Sequence, residues 1–117
     1  AACIFLEDYE YAEKLLDEIL KEDASYDGAS YLKGLCCYST EKYKEAVEAF
    51  TASVELGQEI LNSLYYRGLS ELLLGSVEAA EEDFEKVAAG EDEELAASAE
   101  ELLETLHGEH DHDHDHK

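Results

Sequence analysis

Proline is missing from all 117 residues, and so is methionine. Without proline nothing in the covalent chain forces a helix to break, and the abundance of Ala, Leu, Glu and Lys favours long helices. Histidine is missing before His107; all five lie in the last eleven residues. The body of the chain therefore has no imidazole to act as a general base, and its cysteines lack the histidine partner that would activate a thiol. No glycine-rich phosphate loop is present, and the many neighbouring carboxylates read as solvated helix faces. This inventory argues against an enzyme.

Long apolar runs are also missing. Spanning a bilayer takes roughly 20 apolar residues, and the longest such block reaches only from Ala1 to Leu6. Cations are scarce: 8 Lys and Arg against 31 Asp and Glu leave a net charge of −23. So negative a surface repels phosphate backbones and anionic lipid, which excludes nucleic acid and membrane surfaces as expected partners. It is compatible with solubility alone, or with basic or neutral partners or cations. The acid is concentrated late, with twelve carboxylates and one cation, Lys86, between Ser76 and His107.

Three cysteines, Cys3, Cys36 and Cys37, make no disulfide framework. Adjacent Cys36 and Cys37 on a helix point about 100° apart and would pair only with strain. Buried free thiols in a reducing compartment are the expectation, which points to the cytoplasm. The alternative is export or a lipid anchor through Cys3, because Ala1-Ala2-Cys3 resembles the end of a bacterial lipoprotein signal. The immediate return of helical sequence, with no flexible tether, weighs against it. The chain starts with Ala, so a processed or cut parent is expected.

What is present is a repeat. At a lag of 34 residues Ala12, Ala46 and Ala80 fall in line, as do Tyr9, Tyr43 and Val77, and Leu16, Phe50 and Phe84. A second set pairs Tyr31 with Tyr65, Gly34 with Gly68, and Leu35 with Leu69. Residues 27–60 and 61–94 share seven identities in 34 without a gap. A mid-helix glycine costs roughly 1 kcal/mol against alanine, so Gly34 and Gly68 imply close approach of another helix. Ala12, Ala46 and Ala80 would serve the same end from the second helix of each pair. Tyr43, Ala46 and Phe50 lie at i, i+3 and i+7, one helix face, with large rings flanking a small residue. Breaks fall at Thr40-Glu41-Lys42 and Gly75-Ser76, again in step with the repeat.

These residues, Gly34…Tyr43-x-x-Ala46-x-x-x-Phe50 and Gly68…Val77-x-x-Ala80-x-x-x-Phe84, resemble the tetratricopeptide repeat family over residues 1 to about 94. The chain departs from the family's pattern where an early Trp is replaced by Ser30 and Leu64. It departs again where a buried Leu before the glycine is replaced by Lys33 and Arg67, and where the terminal Pro is absent. The resemblance implies an all-α fold, a helical-hairpin repeat solenoid with a right-handed superhelix, of about 2.5 repeats plus a C-terminal capping helix. The units are a partial repeat 1–26 and complete repeats 27–60 and 61–94. With the capping helix 92–107 they form one domain, 1–107, followed by a His/Asp-rich tail, 108–117. Helices are expected at 8–22, 28–40, 42–56, 59–74, 76–89 and 92–107, with residues 1–6 the remnant of an earlier one. Asp92 is the expected N-cap of the last helix, whose apolar face carries Leu95, Leu102, Leu103 and Leu106. The opposite end has no such cap, so Ile4, Phe5 and Leu6 would lie bare.

The resemblance also implies a binding surface, since the family binds peptides or partner proteins on the concave face formed by its first helices. The matching positions are Tyr31, Leu35 and Tyr38, with Gly28 and Ser39, in one unit. In the next they are Asn62, Tyr65, Leu69 and Leu72, with Leu73. These side chains suit an apolar or aromatic segment of a protein or peptide, and equally suit packing against a neighbouring helix. Family members that clamp a chaperone's terminal carboxylates use Lys, Arg and Asn there, and only Asn62 fits. No cofactor is required. The tail's His110, His112, His114 and His116, alternating with Asp, are candidate ligands for zinc, nickel or copper. Low-complexity sequence without function and an appended purification tail explain the same pattern.

Overall fold

The computed structural model describes the backbone of residues 6–115 and the side chains of residues 8–107. Six helices follow one another: α1 (Leu6–Glu22), α2 (Ala29–Ser39), α3 (Tyr43–Glu55), α4 (Ile60–Leu73), α5 (Val77–Ala88) and α6 (Glu93–Asp115). Each packs mainly on the next, while α2 touches α4 and α4 touches α6. The result is an all-α solenoid of helical hairpins, 55 × 28 × 26 Å. There is no strand among the described residues.

The four middle helices lie within one residue of their expected ends. Three of them stop by the same device. Glu41, Gly57 and Gly75 take left-handed backbone conformations, with φ of 65°, 74° and 89°. The amide after each reaches back to a carbonyl in the last helical turn: Lys42 to Cys37, Gln58 to Ser53 and Ser76 to Glu71. This closes the orphan carbonyls that a helix end exposes. Glu41 stands at the repeat position of Gly75, so one unit makes with a strained residue the turn the other makes with glycine.

Two differences lie at the ends. α1 starts at Leu6, so no break separates residues 6 and 8, where a remnant and a new helix were expected; residues 1–5, with Ile4, Phe5 and Cys3, lie outside the described residues, as does the side chain of Leu6. Asp92 caps α6 as expected, its Oδ1 accepting from the Leu95 amide at 3.1 Å. The helix then continues past its expected end at His107 to Asp115. A glycine stops a helix by turning left-handed, and Gly108 stays helical.

The core is two clusters, one per complete hairpin. In the first, Cys37, Ala46 and Phe50 are sealed from solvent. The second contains Leu64, Ala80, Phe84, Val87 and Ala99, closed by Leu95, Leu102, Leu103 and Leu106 of α6. The glycines behave as their cost implies. A Cβ at Gly34 would lie 2.5–2.8 Å from the Phe50 ring, and one at Gly68 would lie 2.7–3.1 Å from the Phe84 ring. Helix and ring meet where no side chain fits between them.

Where the family's pattern has a buried Leu, Lys33 and Arg67 do a different job. Lys33 donates to Asp17 on α1. Arg67 donates to Thr51 on α3 at 3.1 Å, and its Nε and Nη2 form a fork on Asp83 of α5 at 2.9 and 2.7 Å. Both cations thus tie a first helix to the hairpin before it, and Arg67 also ties its own hairpin. Asp83 is nearly sealed, 2% exposed, so it needs that partner. Glu71 joins from α4, with Oε2 3.9 Å from Arg67 Nε. Its other oxygen is buried without a donor. Burial first, then the neighbouring Asp83, pushes the Glu71 carboxyl up to about 8. A proton on Glu71 resolves the orphan, because the protonated acid donates to Asp83. Elsewhere Lys42 on the α2–α3 turn holds the buried Glu13 of α1 at 3.1 Å. Gln58 joins the two loops, accepting from Gly28 N at 3.0 Å and donating to Ser25 O at 2.9 Å.

Candidate partner-binding surface

The first helices of the two hairpins, α2 and α4, present the candidate residues. Tyr31, Tyr38 and Tyr65 are all half-buried. Helical spacing puts Tyr31 and Tyr38 seven residues apart on one stripe of α2, and the repeat carries Tyr31 to Tyr65 on α4. Each meets another ring. Tyr31 lies 6.0 Å from Phe50, and Tyr38 lies 5.8 Å edge-on from Tyr43. Tyr65 lies 6.0 Å from Phe84. Burial raises the Tyr31 and Tyr38 hydroxyls above the ordinary tyrosine range; neighbouring Tyr66 and Glu59 add to it at Tyr31, and neighbouring tyrosines at Tyr38. These phenols stay neutral donors across physiological pH.

Tyr66 joins the set and was not among the sequence candidates. It stacks on Phe50 at 6.0 Å and 20°, meets Tyr38 edge-on at 5.6 Å, and meets Tyr65 at 5.5 Å. Seven rings from Tyr31 to Phe84 are thereby linked across both hairpins, at spacings that favour aromatic pairs. Comparison at the repeat lag misses Tyr66 because its partner there is Leu32. The usable signal was the Tyr65-Tyr66 doublet. Neighbours on a helix point about 100° apart, so one ring faces its own hairpin while the other turns to the preceding one.

The remaining candidates divide. Leu35 lines a trough between α1 and α2. Leu69 and Leu72 pack, half-buried, against the second core cluster that α6 closes. Asn62 is half-buried and donates to Glu59 at 3.0 Å. The structure thus brings the tyrosines together, and sets the leucines apart as packing groups of their own neighbourhoods.

Cys36 and Cys37 are buried free thiols. Burial, with the nearby Glu13 carboxylate, raises both, and pushes Cys37 up to about 12. Such thiols stay protonated and inert. Among the described residues no group of three or more His, Cys, Asp or Glu is placed to hold a metal ion. His107 is exposed, 3.8 Å from Glu81. The side chains of His110, His112 and His114 lie outside the described ones, and His116 lies outside altogether. No helix among the described residues is long and apolar enough to cross a membrane.

Stacked hairpins closed by a final helix, with small residues where helices cross and rings filling the gaps, define a helical-repeat scaffold. The tetratricopeptide repeat family model matches residues 4–60 and again residues 40–96. The chain belongs to that family, whose repeats generally mediate protein–protein interaction and are typically not enzymes. No curated protein matches it.

Proposed function

We propose that the chain binds a polypeptide segment across the concave face formed by α2 and α4, with Tyr31, Tyr38 and Tyr65 as anchors and Asn62 supplying a polar contact. Leu35, Leu69 and Leu72 contribute through the packing that holds α2 and α4 in place rather than as anchors. The observation that supports this reading is the ring series itself: Tyr66 meets both Tyr38 and Tyr65, and all three rings are half-exposed. Rings already held by neighbours lose little entropy on binding and offer both apolar area and a hydroxyl. Replacing both Tyr31 and Tyr65 with alanine is expected to abolish capture of the partner while helicity by circular dichroism is retained. Capture unchanged by the double substitution would sink the proposal.

A second reading is metal handling by the tail. Its support is the sequence alone: His110, His112, His114 and His116 alternate with Asp, residue types that ligate divalent transition metals. Zinc, nickel or copper would be held weakly to moderately by such a tail, since the alternation of His and Asp offers several interchangeable ligand sets. Calorimetric titration with zinc and nickel tests it. The heat should disappear when His110, His112, His114 and His116 are all changed to alanine, and a titration indifferent to those changes counts against the reading.

A further inference from the structure

A second surface lies at the other end of the array. α1 is a second helix by repeat position: Ala12 and Leu16 correspond to Ala46 and Phe50, and to Ala80 and Phe84. In the two complete hairpins those residues are wholly buried under a first helix whose glycine crosses the ring. Ala12 and Leu16 are only half-buried. Among the described residues α1 packs on α2 alone. Ala12, Leu15, Leu16, Ile19, Leu32 and Leu35 instead line an open apolar trough of about 440 Å³.

The repeat says what shape fills it. Leu32, 48% exposed, occupies the position of Tyr66, which packs on Phe50 and Tyr38 of the preceding hairpin. A helix laid on α1 as α2 lies on α3 would cover Leu16 and Leu32 together. It needs a small residue over Leu16, as Gly34 stands over Phe50. Five large apolar side chains gather at this end with substantial exposure: Tyr11, Leu15, Ile19, Tyr26 and Leu32.

Charge decides what kind of chain brings that helix. The mouth of the trough continues into a second hollow lined by Leu15, Ile19 and Tyr26 with Glu18, Glu22 and Asp23. All three carboxylates are exposed. A second copy of this chain, paired face to face, would set these acids against their own kind, and each copy carries a net charge of −23. A basic helix meets an apolar floor and an acidic rim at once.

We propose that the α1–α2 trough docks an amphipathic helix from a partner polypeptide, with a Gly or Ala over Leu16 and Lys or Arg facing Glu18, Glu22 and Asp23. This surface is separate from the tyrosine face of α2 and α4, sharing only Leu35 with it.

The probe is a labelled peptide of the sequence of residues 59–74 carrying Glu59→Lys and Glu71→Lys, a first helix made basic. Fluorescence anisotropy should show saturable binding to the intact chain. Leu15→Glu and Leu32→Glu, both at exposed positions, should each weaken it about tenfold with unchanged circular dichroism. The peptide with its two native glutamates, and the basic peptide with Gly68→Trp, should each bind about tenfold more weakly. No saturable binding, or binding indifferent to Leu32→Glu, overturns the proposal. So does equal binding of the acidic peptide. A concentration-dependent dimer in sedimentation that Leu32→Glu abolishes would make a second copy the occupant. Affinity raised about tenfold by Ile4→Asp with Phe5→Asp would make it the chain's own leading residues. Either result overturns it too.

Discussion

Arg67→Ala is expected to lower the unfolding free energy by about 3–5 kcal/mol, the usual cost of stranding a buried charge. Arg67 is the fork that satisfies both oxygens of the nearly sealed Asp83 and also reaches Thr51 and Glu71. Urea denaturation followed by helical signal measures the loss. Pairing Arg67→Met with Asp83→Leu should recover most of it, because an apolar pair needs no charge compensation. A loss below about 1 kcal/mol would place Arg67 with ordinary surface ion pairs.

The same cluster sets a pH dependence. Glu71 titrates in the folded chain at about 8, against an ordinary value of 4.5. The folded state therefore holds a proton that the unfolded state has released, and the stability this proton confers falls as pH rises between those values. The net charge of −23 pulls in the same direction, as repulsion grows with ionisation. Glu71→Gln separates the two, since the amide stays neutral and can donate to Asp83 throughout. The variant should gain several kcal/mol over the parent at pH 9, at about 1.4 kcal/mol per pH unit between the two values, and lose most of that advantage near pH 5. Equal slopes for parent and variant would show that Glu71 titrates normally.

Phe50→Ala should cost about 3–5 kcal/mol, the range for emptying a buried aromatic site. Phe50 is sealed, lies under Gly34, and meets Tyr31 and Tyr66 on its flanks. Tyr66 reaches it from the next hairpin, so the loss should also loosen the joint between hairpins. Gly34→Ala probes the same contact from the other side. The new methyl gains about 1 kcal/mol of helix propensity but must displace a ring held by two others, which costs about 1–3 kcal/mol. A net loss is expected. With Phe50→Leu in the background, Gly34→Ala should turn neutral or stabilising, since the ring it collided with is gone. Thermal melts of the four proteins give the coupling directly.

Much of the fold was legible in the sequence because it is local and repeated. The 34-residue lag placed the hairpins, the four middle helices and the close crossings at Gly34 and Gly68, while the ring under each glycine came from the structure. These depend on helical periodicity, on turn residues and on the size of one side chain at one crossing. Asp92 was legible as a cap for the same reason, since a cap is satisfied within its own first turn. The binding face was legible only in part. Tyr31 and Tyr65 stood out by repeat position and Tyr38 by the concave face that the family resemblance implies, but Tyr66 did not, because a lag comparison is blind to a residue whose partner in the other unit differs.

What the sequence by itself determined is that this chain is a helical repeat with small residues at its crossings, acidic over most of its length and without histidine in its body. Tertiary structure decided which charges are structural and which residues meet. Lys33 and Arg67 departed from the family's pattern, and only packing shows why: each spans to the preceding hairpin, and Arg67 meets an acid, Asp83, sixteen residues away on α5. Packing likewise raised Glu71, linked seven rings, drew Leu69 and Leu72 toward α6, and left Ala12 and Leu16 half-covered where their counterparts are sealed. Periodicity reports which face of a helix is apolar. Burial, ion pairing and pKa depend on what arrives from another helix, and that is set by the stacking of hairpins.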